Sequence, residues 1–159
     1  MDKYGKFLHN AQAVYFTDTI RKIYPKAKIG KIDTYWESLQ VLPFHINAQI
    51  TVNQTDYFAT MEYRSWSVKG YDTHYGMVVL DLISTDAVTP GAREKDIHLI
   101  VNPATLESEL ISSDNEDFFR DLAYWAENFK SNKYPDRPPT GDIKDAVITY
   151  YQNKKRESA

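Results

Sequence analysis

The sequence predicts an α+β fold in which helices pack against a mainly antiparallel sheet. Three observations carry that prediction: helical periodicity near the N-terminus, four or five strand-like runs in succession after it, and three segments of helical spacing at the end. With 159 residues, 42% hydrophobic and 26% charged, the chain suits one domain, read as residues 1–152 with a frayed basic tail at 153–159.

Between Tyr4 and Tyr24 apolar residues recur at helical spacing, with a shift of face near Tyr15. Pro25 ends this helix, since proline lacks the donor and disfavours helical geometry in the residue before it. Residues 26–33 alternate weakly, as a short strand would, and 34–43 fit no pattern.

Phe44, Ile46, Ala48, Ile50 and Val52 then alternate strictly with His45, Asn47, Gln49, Thr51 and Asn53, the period of a half-buried strand. Tyr57, Ala59, Met61 and Tyr63 continue the alternation after the turn formers 53–56. The pair predicts a hairpin, 44–52 with 57–66, closed by a four-residue loop. In that register Val52 faces Tyr57, Ile46 faces Tyr63, and on the polar side His45 faces Arg64. A one-residue slip would turn the apolar set toward water.

Residues 75–84 are almost continuously apolar and β-branched apart from Asp81, which suits a central strand covered on both faces. Ile97, Leu99 and Val101 mark another strand near 96–101. Asn102-Pro103 has the form of an N-cap and first-turn proline, predicting a short helix through Ile111. Ser113 and Glu116 form a capping box ahead of Phe118, Phe119, Leu122, Trp125 and Phe129, the second C-terminal helix. Three prolines between 135 and 139 end it. Thr140 opens the third, with Ile143, Val147, Tyr150 and Tyr151 on one face.

The formal net charge is −3, which supplies no general attraction to nucleic acid or anionic lipid. The distribution is uneven: residues 1–32 hold seven bases and two acids, and residues 105–127 hold seven acids and one base. No apolar stretch approaches the roughly 20 residues of a membrane span, and the first residues lack the apolar core of a secretory signal. Without cysteine the chain has no disulfide, thiol or thiolate chemistry, and the reducing cytoplasm is the expected compartment.

No phosphate loop, dinucleotide fingerprint, nucleophile elbow or zinc-binding helix is present, so no cofactor is expected. The four histidines are isolated, and no metal site is expected. What remains is a polar sheet face built from His45, Asn47, Gln49, Glu62 and Arg64, joined by Asp81 and His98 if these point the same way. A histidine or carboxylate there could act as general base and Arg64 could hold an anion. The plainer reading is a solvated sheet face. A second candidate is the acidic surface Glu107, Asp114, Glu116, Asp117 and Asp121, suited to a basic partner, though a helix first turn accommodates such carboxylates without one.

Twelve tyrosines, and aromatic residues such as Tyr35, Trp36, Trp66, Tyr71 and Tyr75 at strand ends, suit protein recognition or the plugging of sheet edges. Too few bases interleave with them for single-stranded nucleic acid, leaving Arg21–Lys31 as the sole candidate phosphate contact. The expectation is therefore a small cytoplasmic protein that binds another macromolecule, a protein foremost, through the acidic surface or the polar sheet face. A ligand or enzymatic pocket between a curved sheet and its covering helix is the alternative, and a homo-oligomer joined through exposed aromatic residues is a third.

Overall fold

The computed structural model describes residues 3–34, 45–67, 74–86, 96–103, 105–110 and 142–158. Helix α1 (Lys3–Ile23) leads into a meander of β1 (Lys28–Ile29), β2 (Asp33–Thr34), β3 (His45–Val52), β4 (Thr55–Ser67), β5 (His74–Ser84), β6 (Ile97–Val101) and β7 (Ser108–Leu110), and helix α2 (Asp142–Ser158) follows. The sheet order is β1-β3-β4-β5-β6-β7, with β2 also on β3, and every pairing is antiparallel. The α+β class, the N-terminal helix and the antiparallel sheet agree with the sequence. Among the described residues no helix is long and apolar enough to cross a membrane.

Helix α1 buries Leu8, Ala11, Gln12, Tyr15, Phe16, Thr19 and Ile20, one stripe at three- and four-residue spacing with no break at Tyr15. Gln12 and Thr19 fill the positions where the apolar pattern lapses. Each returns a hydrogen bond to its own helix, Gln12 Nε2 donating to Leu8 O at 3.0 Å and Thr19 Oγ1 to Tyr15 O at 2.7 Å. Opposite the stripe stand Ile46, Ala48, Ile50, Tyr57, Ala59, Met61, Val78, Leu80, Leu82, Leu99 and Val101 in one continuous core. Each large aliphatic side chain buried there contributes about 1.5–3 kcal/mol.

The hairpin joins through two residues, not four. Asn53 and Gln54 both take positive φ, 50° and 68°, so Val52 faces Thr55 and the register moves two places from the predicted one. Two left-handed residues match the twist of the flanking strands, and Thr51 Oγ1 donates to Asp56 Oδ1 at 2.6 Å across the loop. A shift of two keeps every side chain on its predicted face. It does change the partner of His45 from Arg64 to Glu62.

The expected short strand at 26–33 is two strands of two residues, both on β3, with Gly30 N donating to Gln49 O at 2.8 Å between them. An edge broken in this way offers little continuous backbone to a foreign strand.

The expectation of three C-terminal helices is corrected to one among the described residues, α2. The short helix from Pro103 is instead a closed loop and the strand β7. Asn102 Oδ1 does accept from Thr105 N, at 3.2 Å, but Leu106 turns the chain back with φ 63°, and Asn102 N donates to Glu107 O at 2.7 Å. That bond, from the N–H three residues on, is the one a helix N-cap makes to its N3 residue, which is why the local sequence reads as a helix start. The capping-box helix near 113–129 lies outside the described residues. At the C-terminus α2 runs to Ser158, so residues 153–158 are helical where a frayed tail was expected.

Helix α2 drives Val147 and Tyr151 into the core beside α1. Tyr150 meets Tyr15 edge-on at 5.7 Å and donates to Asp18 Oδ2 at 2.8 Å; Lys154 pairs with the same carboxylate. Tyr151 meets Phe7 at 5.5 Å, with the Lys155 ammonium 4.7 Å from its ring centre.

Candidate functional site

Strand alternation sends the remaining residues of β3 to β6 to the face away from α1. The registers line them up in rows. Lys28, Thr51, Asp56 and Thr85 form one end, the last joined by its N–H to Asp56 O at 3.1 Å. Next come Gln49, Phe58 and Ile83, with Gly30 beside Gln49; then Asn47, Thr60, Asp81 and His98; then His45, Glu62, Val79 and Ile100.

Two histidine–carboxylate pairs occupy adjacent rows. Asp81 Oδ1 and His98 Nδ1 are 2.7 Å apart, with side chains only 16% and 8% exposed. His45 Nδ1 and Glu62 Oε1 are 2.9 Å apart, at 30% and 29% exposed. Asn47 Nδ2 lies 3.3 Å from His45 Nε2, so the amide donates to that nitrogen and the imidazole hydrogen sits on Nδ1, toward Glu62. Val79, Ile100 and Asn47 are buried, so water reaches this part of the face at His45 and Glu62 but not at the residues beside them. A carboxylate that fixes an imidazole in this way sets its tautomer and orientation, which serves recognition of a polar group as readily as proton transfer.

The structure therefore brings together His45, Asn47, Glu62, Asp81 and His98, with Asp81 and His98 pointing as the polar-face reading requires. The backbone of Arg64 pairs with Met77 on the far side of Glu62, and the placement of its side chain lies outside the description. Glu107 is exposed in the loop before β7. Asp114, Glu116, Asp117 and Asp121 lie outside the described residues. Among the described residues no group of histidines and carboxylates has the arrangement of a metal site.

The sequence reading passed over the other end of this face. A groove of about 400 Å³ lies there, lined by Lys28, Gly30, Gln49, Thr51, Asp56 and Thr85 together with the intervening Ile29, Ile50 and Tyr57. Phe58, in the adjoining row, is 41% exposed. Its signal was visible as the one aromatic residue among positions 56, 58, 60 and 62 of β4.

The tyrosines on the helix side, Tyr15 buried and Tyr150 half-buried, are struts. Burial pushes the Tyr15 hydroxyl pKa up, and the group donates to Pro103 O at 2.6 Å. Tyr150 is pushed up to about 12, by burial first and then by Asp18, which accepts its proton in a hydrogen bond and repels the phenolate. Both stay protonated and spend that proton on holding the Pro103 loop and α2 to α1.

Comparison with protein-family models, characterised proteins and solved structures found no match to this chain.

Proposed function

We propose that this chain is a binding protein of the cytoplasm whose recognition surface is the sheet face turned away from the helices, and that its partner is a protein. The observation that carries the proposal is Phe58, a large exposed aromatic side chain beside a groove and bordered by the row Asn47, Thr60, Asp81 and His98. Aromatic anchors next to orienting polar groups are the usual centre of a protein interface. Of the two surfaces expected from the sequence, the sheet face is the one whose side chains are described, while of the acidic surface only Glu107 falls among the described residues.

A photoreactive residue at position 58, compared with one at the exposed Tyr4 of α1, tests the reading in the native host. A discrete covalent adduct with another polypeptide from position 58 alone supports it. Adducts from position 4 and none from 58 refute it.

A ligand or enzymatic pocket on the same face is the second reading, favoured by the shelter around Asp81 and His98. It expects the His98 imidazole resonances to shift on adding the small-molecule fraction of a host extract, with the protein fraction leaving them in place.

A further inference from the structure

We propose that the partner of this face is a second copy of the chain, docked face to face through the corner formed by β1, β3 and β4; this rests on reading the face as a protein-binding surface. The argument is self-complementarity. In one row Lys28 and Asp56 flank Thr51, one strand to either side of β3. In the next, Gly30 and Phe58 flank Gln49 in the same way. Adjacent strands are about 4.8 Å apart, so each pair is disposed symmetrically about the line of β3.

A twofold axis along β3, midway between two stacked copies, reverses left and right while keeping each row opposite itself. It sets Lys28 of one copy over Asp56 of the other, twice. It also sets each Phe58 ring over the other copy's Gly30, where no side chain stands in the way and the groove is open beneath. Charge therefore meets opposite charge, and an aromatic ring meets a hollow.

Lys28, Gly30, Gln49, Asp56 and Phe58 are all exposed, and among the described residues Lys28 makes no ion pair. The rest of the face, at Asn47, His98, Val79 and Ile100, is already buried. That confines the contact to the corner, beyond which the two copies splay apart, and a contact so small makes the dimer a weak one.

Sedimentation equilibrium of the native chain across a concentration series tests the proposal. Lys28→Glu and Asp56→Lys each put like charges in contact twice and weaken self-association by about tenfold or more. Phe58→Ser weakens it as well. Mixing the two charge variants restores association as a heterodimer, and the double variant restores it as a homodimer; a misfolded chain could do neither. A native chain that stays monomeric at millimolar concentration, charge variants that associate like the native chain, or a mixture without recovery overturns the proposal. A monomer whose position 58 still crosslinks to a different protein overturns the second copy and keeps the binding face. No adduct from position 58 to any chain removes both.

Discussion

Under α1 the sheet presents Ile46, Ala48, Ile50, Leu80 and Leu99; on its other face the same strands present His45, Asn47, Gln49, Asp81 and His98. The two sets specify different things. A slip of two residues between β3 and β4 leaves the first set apolar, because Ile, Ala, Met and Tyr exchange places with little change in character. The same slip separates His45 from Glu62. Apolar packing decides which face turns inward, and the polar rows help decide the register, since a pair at 2.9 Å tolerates no substitute partner.

The largest expected effect separates the faces by energy. Phe16→Ala, at a fully buried site on α1, costs about 3–5 kcal/mol, while Phe58→Ala costs less than about 1 kcal/mol because that ring is already partly in water. Urea denaturation of the two variants checks this. Equal losses would mean that the outer face is a second core, and that Phe58 is not held out for a partner.

The next effect ranks sites within the polar face. Asp81→Ala leaves His98 buried without its carboxylate and costs about 1–3 kcal/mol. Glu62→Ala strands a histidine that water still reaches and costs less than about 1 kcal/mol. Should the two prove equal by the same measurement, burial is not what separates the rows.

How much of this was legible depended on whether the signal was local. The face of each residue in β3 and β4 followed from alternation, because the period is set by the backbone. The register did not: Asn53-Gln54 and the longer Asn53–Asp56 loop are both turn-like in composition, and the positive φ at both Asn53 and Gln54, which closes the two-residue turn, is not written in that composition. Asn102-Pro103 misled for a related reason, since the reversal at Leu106 is enforced by the pairing of β7 with β6, far from the cap. His45, Asn47, Glu62, Asp81 and His98 were found because period two is dependable within a strand. Lys28 and Gly30 were missed because the edge segment is broken into two short strands and alternates only weakly.

On the helix side the comparison sharpens with pH. Tyr150 has a folded pKa of about 12 against an unfolded value near 10, so the stability tied to its protonated form is complete below pH 10 and is lost as pH rises through 12. Tyr150→Phe removes the bond to Asp18 and costs about 1 kcal/mol at neutral pH. Its urea midpoint then falls less steeply than that of the native chain between pH 10 and 12. Some fall persists, since Tyr15 is raised in the same direction. Identical slopes would place the alkaline sensitivity elsewhere.

The smallest effect probes one of the two polar lapses in the apolar stripe. Gln12 is fully buried, and its Oε1 has no hydrogen-bond partner among the described residues, although its Nε2 donates to Leu8 O. An unsatisfied buried acceptor is a standing cost, and methionine has nearly the same length without the amide. The bond to Leu8 O is a small loss, because that carbonyl also accepts within the helix. Gln12→Met therefore raises stability, by up to about 1 kcal/mol, read as a higher urea midpoint with an unchanged slope. A loss of stability would show that the helix-side core, like the face behind it, holds a polar contact that the fold requires.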